Sequence, residues 1–316
     1  MRSFRRFNSG LAARQQIDNY FTYFQTKNDL RPLIYRQKNA NTLLAMDLKD
    51  PITKQQIKPR QPIASIPKQL LTTYIKSIPK GSNEFFEWLK PWMKLTTRKK
   101  EIYQYFSSEH LQNMLIQSCF IIGDYTRMVG YLYIQKQRFL STNNGSIYDI
   151  DHFYNTLLMC SLHRGSIMEF NDSEIAKRKV KQMWLNTVEK QQKLGLTSLL
   201  VDCYAKQQGF DTTDLMPELN NVPITLPTLT NEITPDLFVQ KNEPLYLICR
   251  TIAHFSNDVP LEVTNFINEY KSTASKIGNS TDIYDKYVSS MKEIWTQKKE
   301  DRATKETPVE STKEET

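Results

Sequence analysis

Along much of the chain the apolar residues return every three or four positions, the spacing of one helix face. Tyr125, Met128, Val129 and Leu132 form one such stripe, and Val263, Phe266, Ile267 and Tyr270 another. Tyr284, Tyr287, Val288, Met291 and Trp295 form a third, capped by Thr281 or Asp282. Shorter helices are predicted around Phe85–Leu89, limited by Pro91, and from Ser107 or Ser108 to Ile122. Asp151 is expected to cap a helix carrying Tyr154, Leu157 and Leu158 and ending near Gly165. Asn171 and Glu174 have capping-box-like spacing before a helix running to Lys193, with Val180, Met183, Trp184 and Val188 on one face. Leu196–Gln208 forms the next.

Elsewhere the pattern breaks. Tyr20, Phe21, Tyr23 and Phe24 suggest a short helix, followed by an extended stretch from Arg31-Pro32. Pro51, Pro59, Pro62, Pro67 and Pro79 exclude a long helix and leave room for one short one at Leu70–Ile75. Residues 211–243 carry Pro217, Pro223, Pro227 and Pro235 with six acids and one base, the composition of a linker. After Lys298 apolar residues all but vanish, as in a disordered tail. The expected fold is all-α: helical hairpins stacked in a short irregular solenoid, with an extended basic N-terminal arm and a disordered C-terminal tail. The expected divisions are 1–16 (presequence), 17–82 (arm), 83–210 (helical body), 211–243 (acidic linker), 244–298 (C-terminal helices) and 299–316 (tail).

Charge sharpens this picture. The 316-residue chain has a net charge of +8. Residues 53–100 hold eleven bases against Glu84 and Glu87, a surplus of nine. They are Lys54, Lys58, Arg60, Lys68, Lys76, Lys80, Lys90, Lys94, Arg98, Lys99 and Lys100, with Tyr74, Trp88 and Trp92 interleaved. Closely spaced cations suit phosphates, and aromatic rings can stack on unpaired bases. An extended arm of this kind would follow a folded RNA surface, ordering as it binds. A solvated basic face, with the tryptophans in the core, is the plainer alternative.

The first sixteen residues form a separate signal. Arg2, Arg5, Arg6 and Arg14 precede the first acid, Asp18, and Phe4, Phe7 and Leu11 share one side of a helix. An Arg-rich, acid-free amphipathic start is the composition of a mitochondrial transit peptide. Arg5-Arg6-Phe7-Asn8-Ser9 suggests a cut after Phe7, which lowers the charge from +8 to +5. The expected location is the mitochondrial matrix.

Little points to catalysis. The four histidines, His110, His152, His163 and His254, make no zinc-protease pattern and suggest surface or capping positions. GxSxG, phosphate-binding glycine loops and kinase signatures are absent. Cys160 and His163 stand three apart, close enough to touch on one helix, without an evident oxyanion site. Cys119, Cys160, Cys203 and Cys249 form no CxxC pair, which leaves no expected metal site, and no cofactor is expected either. No apolar run reaches the roughly 20 residues of a membrane span. The reading is a non-enzymatic binding protein.

Two resemblances add to this. His152–Gly165 and Leu196–Gly209 align loosely, each a short helix ending in Gly with a basic helix between. The run Phe153–Leu158 and the later Tyr204-Ala205-Lys206 resemble degenerate pentatricopeptide hairpins. That resemblance implies that Asn155 and Thr156 face RNA bases; Arg178 and Lys179, on the helix face opposite Val180 and Met183, are further candidate RNA contacts. The whole layout, with Arg2–Arg14, Lys54–Lys80, Ser107–Gln208 and Lys298–Thr316 as its parts, is similar to fungal mitochondrial small-subunit ribosomal proteins. It implies a structural component of that subunit, bound to mitochondrial rRNA and small-subunit ribosomal proteins in support of mitochondrial translation. A pentatricopeptide-like factor, acting on mRNA as translational activator or stability factor, and a helical assembly factor without RNA are the alternatives.

Overall fold

The computed structural model describes residues 2–50, 53–168, 172–212 and 222–306, with side chains over 9–300 within those spans. Fourteen α-helices account for most of the described chain, so the protein is all-α. Among the described residues β-pairing is confined to two isolated bridges, Lys49 with Gln56 and Asp149 with Glu189. The chain divides into two compact units. The first comprises residues 1–78, 83–110 and 135–145, and the second residues 79–82, 111–134 and 146–316.

The first unit is organised by α1 (Arg2–Gln25), far longer than the short helix expected at its aromatic end. Ala13, Ile17 and Phe21, at four-residue steps, are buried against α4 (Gln69–Ser77), α5 (Glu84–Met93) and α6 (Lys100–Tyr105). Phe21 lies 6.2 Å from Trp88, 5.2 Å from Trp92 and 5.5 Å from Tyr105 between ring centroids. The Trp88 indole N–H donates to Asp18 at 2.7 Å, so its one polar atom is satisfied inside. Arg14 of α1 pairs with Glu84 of α5. A Cβ on Gly10 would overlap Ser77, so glycine there lets α1 and α4 approach closely. Removal of the whole segment 1–16 would take out Gly10, Ala13 and Arg14, whereas a cut after Phe7 leaves all three.

Within the basic Pro-rich arm with short helices expected over residues 17–82, part of the chain folds on a small core. The helices α2 (Arg31–Tyr35) and α3 (Ala40–Ala45) supply Ile34, Tyr35 and Leu43, a small core of their own. Leu48, Ile57 and Ile63 of the proline-rich stretch pack on it. A turn closes over residues 48–57, with the Ile57 N–H donating to the Leu48 carbonyl at 2.7 Å and the Asp50 N–H to the Gln55 carbonyl at 2.8 Å. The Arg60 N–H donates to the Ile34 carbonyl at 2.7 Å. Proline excluded helix here, but three apolar side chains and these bonds sufficed to order the rest.

In the second unit α9 (Asn155–Met168) is flanked by α11 (Thr197–Gln208), α12 (Pro235–Phe255) and α14 (Ile283–Glu306). Most of α7 (Ser108–Gln117), from Leu111, and the first part of α8 (Tyr125–Ser141), to Ile134, precede it in this unit, and α10 (Ser173–Asn186) and α13 (Leu261–Lys276) pack on α11 and α12. Several boundaries differ from expectation for identifiable reasons. Asp149, not Asp151, caps the turn leading into α9, its carboxylate accepting from the His152 N–H at 2.6 Å. Asp151 accepts from the N–H groups of Lys193 and Leu194 instead, at 2.8 and 3.3 Å. Helix α10 starts from an Asp172 cap and stops at Asn186, because Val188 and Ile150 bond to the Tyr148 and Glu189 carbonyls across the second bridge. Asn171 lies outside the described residues. Helix α12 begins at Pro235, inside the expected linker, with the Thr234 hydroxyl as its cap and Phe238 and Val239 already buried. Helix α14 continues to Glu306, past the expected end at Lys298.

Two histidines, expected at surface or capping positions, are buried. His110 accepts from the Ser107 N–H through Nδ1 (3.0 Å), so Nε2 carries the proton and donates to the Lys68 carbonyl (2.9 Å). Burial pushes its pKa down to about 4. His163 bonds Thr251 at 3.1 Å among the rings of Phe120, Phe255 and Tyr284, and burial, then the charges of His254 and Lys292, push it to about 3. The Cys160 thiol meets the Leu115 carbonyl at 3.9 Å.

Two outcomes follow from this packing. Gly10→Val should destabilise the chain by about 1–3 kcal/mol in denaturant unfolding, with Ser77→Gly restoring part of the loss. Both buried histidines are neutral when folded, so the unfolded chain binds more protons below pH ~6.5 and stability should fall as pH drops from there. The loss should level off below about pH 4 for His110 and about pH 3 for His163. His163→Phe should remove close to one proton from the pH slope of unfolding free energy between those limits.

Candidate nucleic-acid interface

The folded first unit sets where its cations go. Lys54 occupies the turn over residues 48–57 with φ +58°, and Lys58 and Arg60 follow it, all three exposed. The Arg60 bond to Ile34 and a 3.2 Å bond from the Gln37 amide to Gln61 lay this strand of chain beside Arg36 and Lys38. Arg36 and Lys38 are exposed too, and neither they nor Lys54, Lys58 and Arg60 meet a carboxylate among the described residues. These two lie outside the basic run, some twenty residues upstream, so only the fold reveals them as members of the cluster. Their signal in the sequence was the pair of short apolar runs, Leu33–Tyr35 and Leu43–Leu44, that gives the loop something to pack on.

A second group surrounds the turn between α5 and α6. Lys90 and Lys94 stand one helical turn apart, and Lys94, Arg98 and Lys100 are exposed without an acid partner among the described residues. Lys68 is exposed at the start of α4, and Lys76 is half-buried on it. Two expected contacts are occupied elsewhere. Lys99 points its ammonium at the Thr26 carbonyl (3.4 Å), beyond the C-terminus of α1, where Arg31 also donates to the Phe24 and Thr26 carbonyls. Cations at that end satisfy free carbonyls and the helix dipole. Burial and the Arg31 charge lower the Lys99 pKa. Lys80 belongs to the second unit and pairs with Glu293.

The aromatic residues of the run are not available for stacking. Tyr74 and Trp88 are buried and Trp92 is half-buried against Phe21, the core positions of the plainer alternative. The hairpin residues are corrected more sharply. Asn155 and Thr156 are both 0% exposed, and Thr156 accepts from the Gln112 amide at 3.2 Å. Their helix is central to the second unit, so a polar side chain at its start faces neighbouring helices rather than solvent. Arg178 and Lys179 are exposed on α10. Among the described residues no group of His, Cys, Asp or Glu could hold a metal ion, and no helix is long and apolar enough to cross a membrane.

An all-helical body with unpaired cations on a compact module, and with two histidines and the four cysteines buried as packing groups, has the make-up of a structural protein that meets polyanions. Comparison with known families gives the class: it is a mitochondrial ribosomal protein and not an enzyme. Residues 6–77 match the MRP13-like N-terminal domain and residues 82–305 the MRP13-like C-terminal domain. The chain belongs to the MRP13-like family, and MRP13 is a mitochondrial small-subunit ribosomal protein.

Reversing Arg36, Lys58 and Arg60 to Glu should weaken RNA binding by about tenfold or more at physiological salt, measured by filter binding. The same charge change at Lys299, Lys305 and Lys313 should cost far less.

Proposed function

We propose that this chain is a structural component of the mitochondrial small ribosomal subunit, resident in the matrix. Cations around the Ile34–Tyr35–Leu43 core and around the α5–α6 turn hold rRNA phosphates, and the helical second unit supports neighbouring proteins. The observation that carries this reading is the cluster of Arg36, Lys38, Lys54, Lys58 and Arg60 without acid partners, on a chain of the MRP13-like family. A fixed cluster pays little ordering cost when it meets a fixed RNA surface. Base-by-base reading of a transcript has less support, since Asn155 and Thr156 have no surface to offer.

Tagged protein should co-sediment with small subunits on sucrose gradients, with and without EDTA, at one copy per particle. A peak only in light fractions contradicts the proposal. The N-terminal segment is proposed as a presequence cut after Phe7, so the mature protein should begin at Asn8. A mature start beyond Gly10 contradicts that, because it would remove the contact of α1 with Ser77.

A further inference from the structure

The second unit carries more acids than bases, yet six of its bases fall within residues 177–193, a stretch with the single acid Glu189. Helix α10 sorts them. Ala176, Val180 and Met183 are buried on its inner side. Lys177, Lys181 and Trp184 stand four and three residues apart, so they share one stripe on another side, with Arg178 beside it. Arg178 and Lys181 are exposed, and Lys177 is half-buried. Lys179 is not part of this stripe: it lines a cavity between α8, α9, α10 and α11 and feels the Asp172 carboxylate.

The chain after α10 returns a further cation to this face. The Val188 N–H donates to the Tyr148 carbonyl at 2.8 Å and a bridge joins Glu189 to Asp149, which fixes the turn. Lys190 then sets its ammonium 4.6 Å from the centre of the Trp184 ring, which packs in a T against Tyr154 with 5.5 Å between centroids. Lys177, Arg178, Lys181 and Lys190 meet no carboxylate among the described residues, and Glu189 accepts from the Gln191 N–H at 3.2 Å. From Lys177 to Trp184 the helix rises about 10 Å, a length over which about three phosphates of one strand pass. Leu185 and Val188 are exposed here, but two aliphatics among cations lack the aromatic, lysine-poor centre of a protein interface.

We propose that this face of α10 is a second RNA contact, in which Lys177, Arg178, Lys181 and Lys190 hold the phosphate backbone without regard to base sequence. It rests on the reading of the chain as a ribosomal component, and it extends RNA contact from the first unit to the second. Because Trp184 is engaged by Lys190 and Tyr154, the face offers charge rather than a ring for stacking. Helix and bridge hold the cations in place beforehand, so binding costs little ordering.

The test is the affinity of the purified full chain for small-subunit rRNA across a range of salt. One variant combines Arg178→Gln, Lys181→Gln and Lys190→Gln, all at exposed positions. A control combines Lys206→Gln, Lys276→Gln and Lys286→Gln, exposed lysines elsewhere in the second unit that remove the same charge. The α10 variant should bind about tenfold more weakly at physiological salt, with a log–log salt slope shallower by roughly 2 to 3, and should lose as much on an unrelated RNA of equal length. The control should lose less than about twofold. An unchanged slope, an equal loss in the control, or a loss confined to one RNA sequence would overturn the inference. In purified small subunits, Lys181 and Lys190 should resist an amine-acetylating reagent until RNase removes the RNA. Protection that survives RNase would identify a protein on this face and overturn it as well. An unchanged slope here, in a chain that still co-sediments with small subunits, removes this surface alone and leaves the ribosomal role standing.

Discussion

Phe21 is fully buried between Trp88, Trp92, Tyr105 and Phe106, and the first unit is arranged around that contact. It joins α1 to α5 and to the end of α6, while Gly10 and Ala13 hold the other end of α1 on α4. Truncating a buried phenylalanine of this kind typically costs about 3–5 kcal/mol, a large share of a domain's net stability. Once these rings are inside, the charged residues of the same segments must face outward. The basic run is therefore both a structural and an electrostatic feature: its aromatics make the core and its cations the surface.

The second unit buries its polar groups as deliberately as its apolar ones. Asp151 holds the chain after α10, His163 links α9 to α12 through Thr251, and Tyr246 of α12 donates to Asp282 before α14 at 2.8 Å. Tyr246 also stacks on Tyr270 of α13 with ring centres 4.0 Å apart. Each of these bonds removes a donor or acceptor that would otherwise be left unsatisfied in the core. The result suits a scaffold, with fixed helices and reactive side chains kept inactive by burial.

Helices with an uninterrupted stripe were legible from the sequence. The register of α8, α13 and α14 follows the spacing of Tyr125, Val263 and Tyr284 with their partners, because one face of each meets a core. What was not legible depended on contacts distant in sequence. Proline over residues 51–67 ruled out helix but could not show that Leu48, Ile57 and Ile63 find Ile34 and Tyr35. Asn155 looked like a solvent-facing polar residue because nothing local indicates that α9 is surrounded. The basic run was visible as composition, yet Lys99 and Lys80 were already committed to carbonyl and carboxylate partners, and Arg36 and Lys38 joined the cluster only through folding.

The preformed cation cluster on the first unit is proposed to meet rRNA phosphates. The most direct measurement is the salt dependence of binding between the purified chain and small-subunit rRNA, for wild type and for the Arg36, Lys58 and Arg60 triple Glu variant. The logarithm of affinity should fall steeply with the logarithm of salt, and the variant's slope should be shallower by roughly 2 to 3, as expected for three lost phosphate contacts. Identical slopes in the two proteins would contradict the claim and place the RNA contact, if any, elsewhere on the chain.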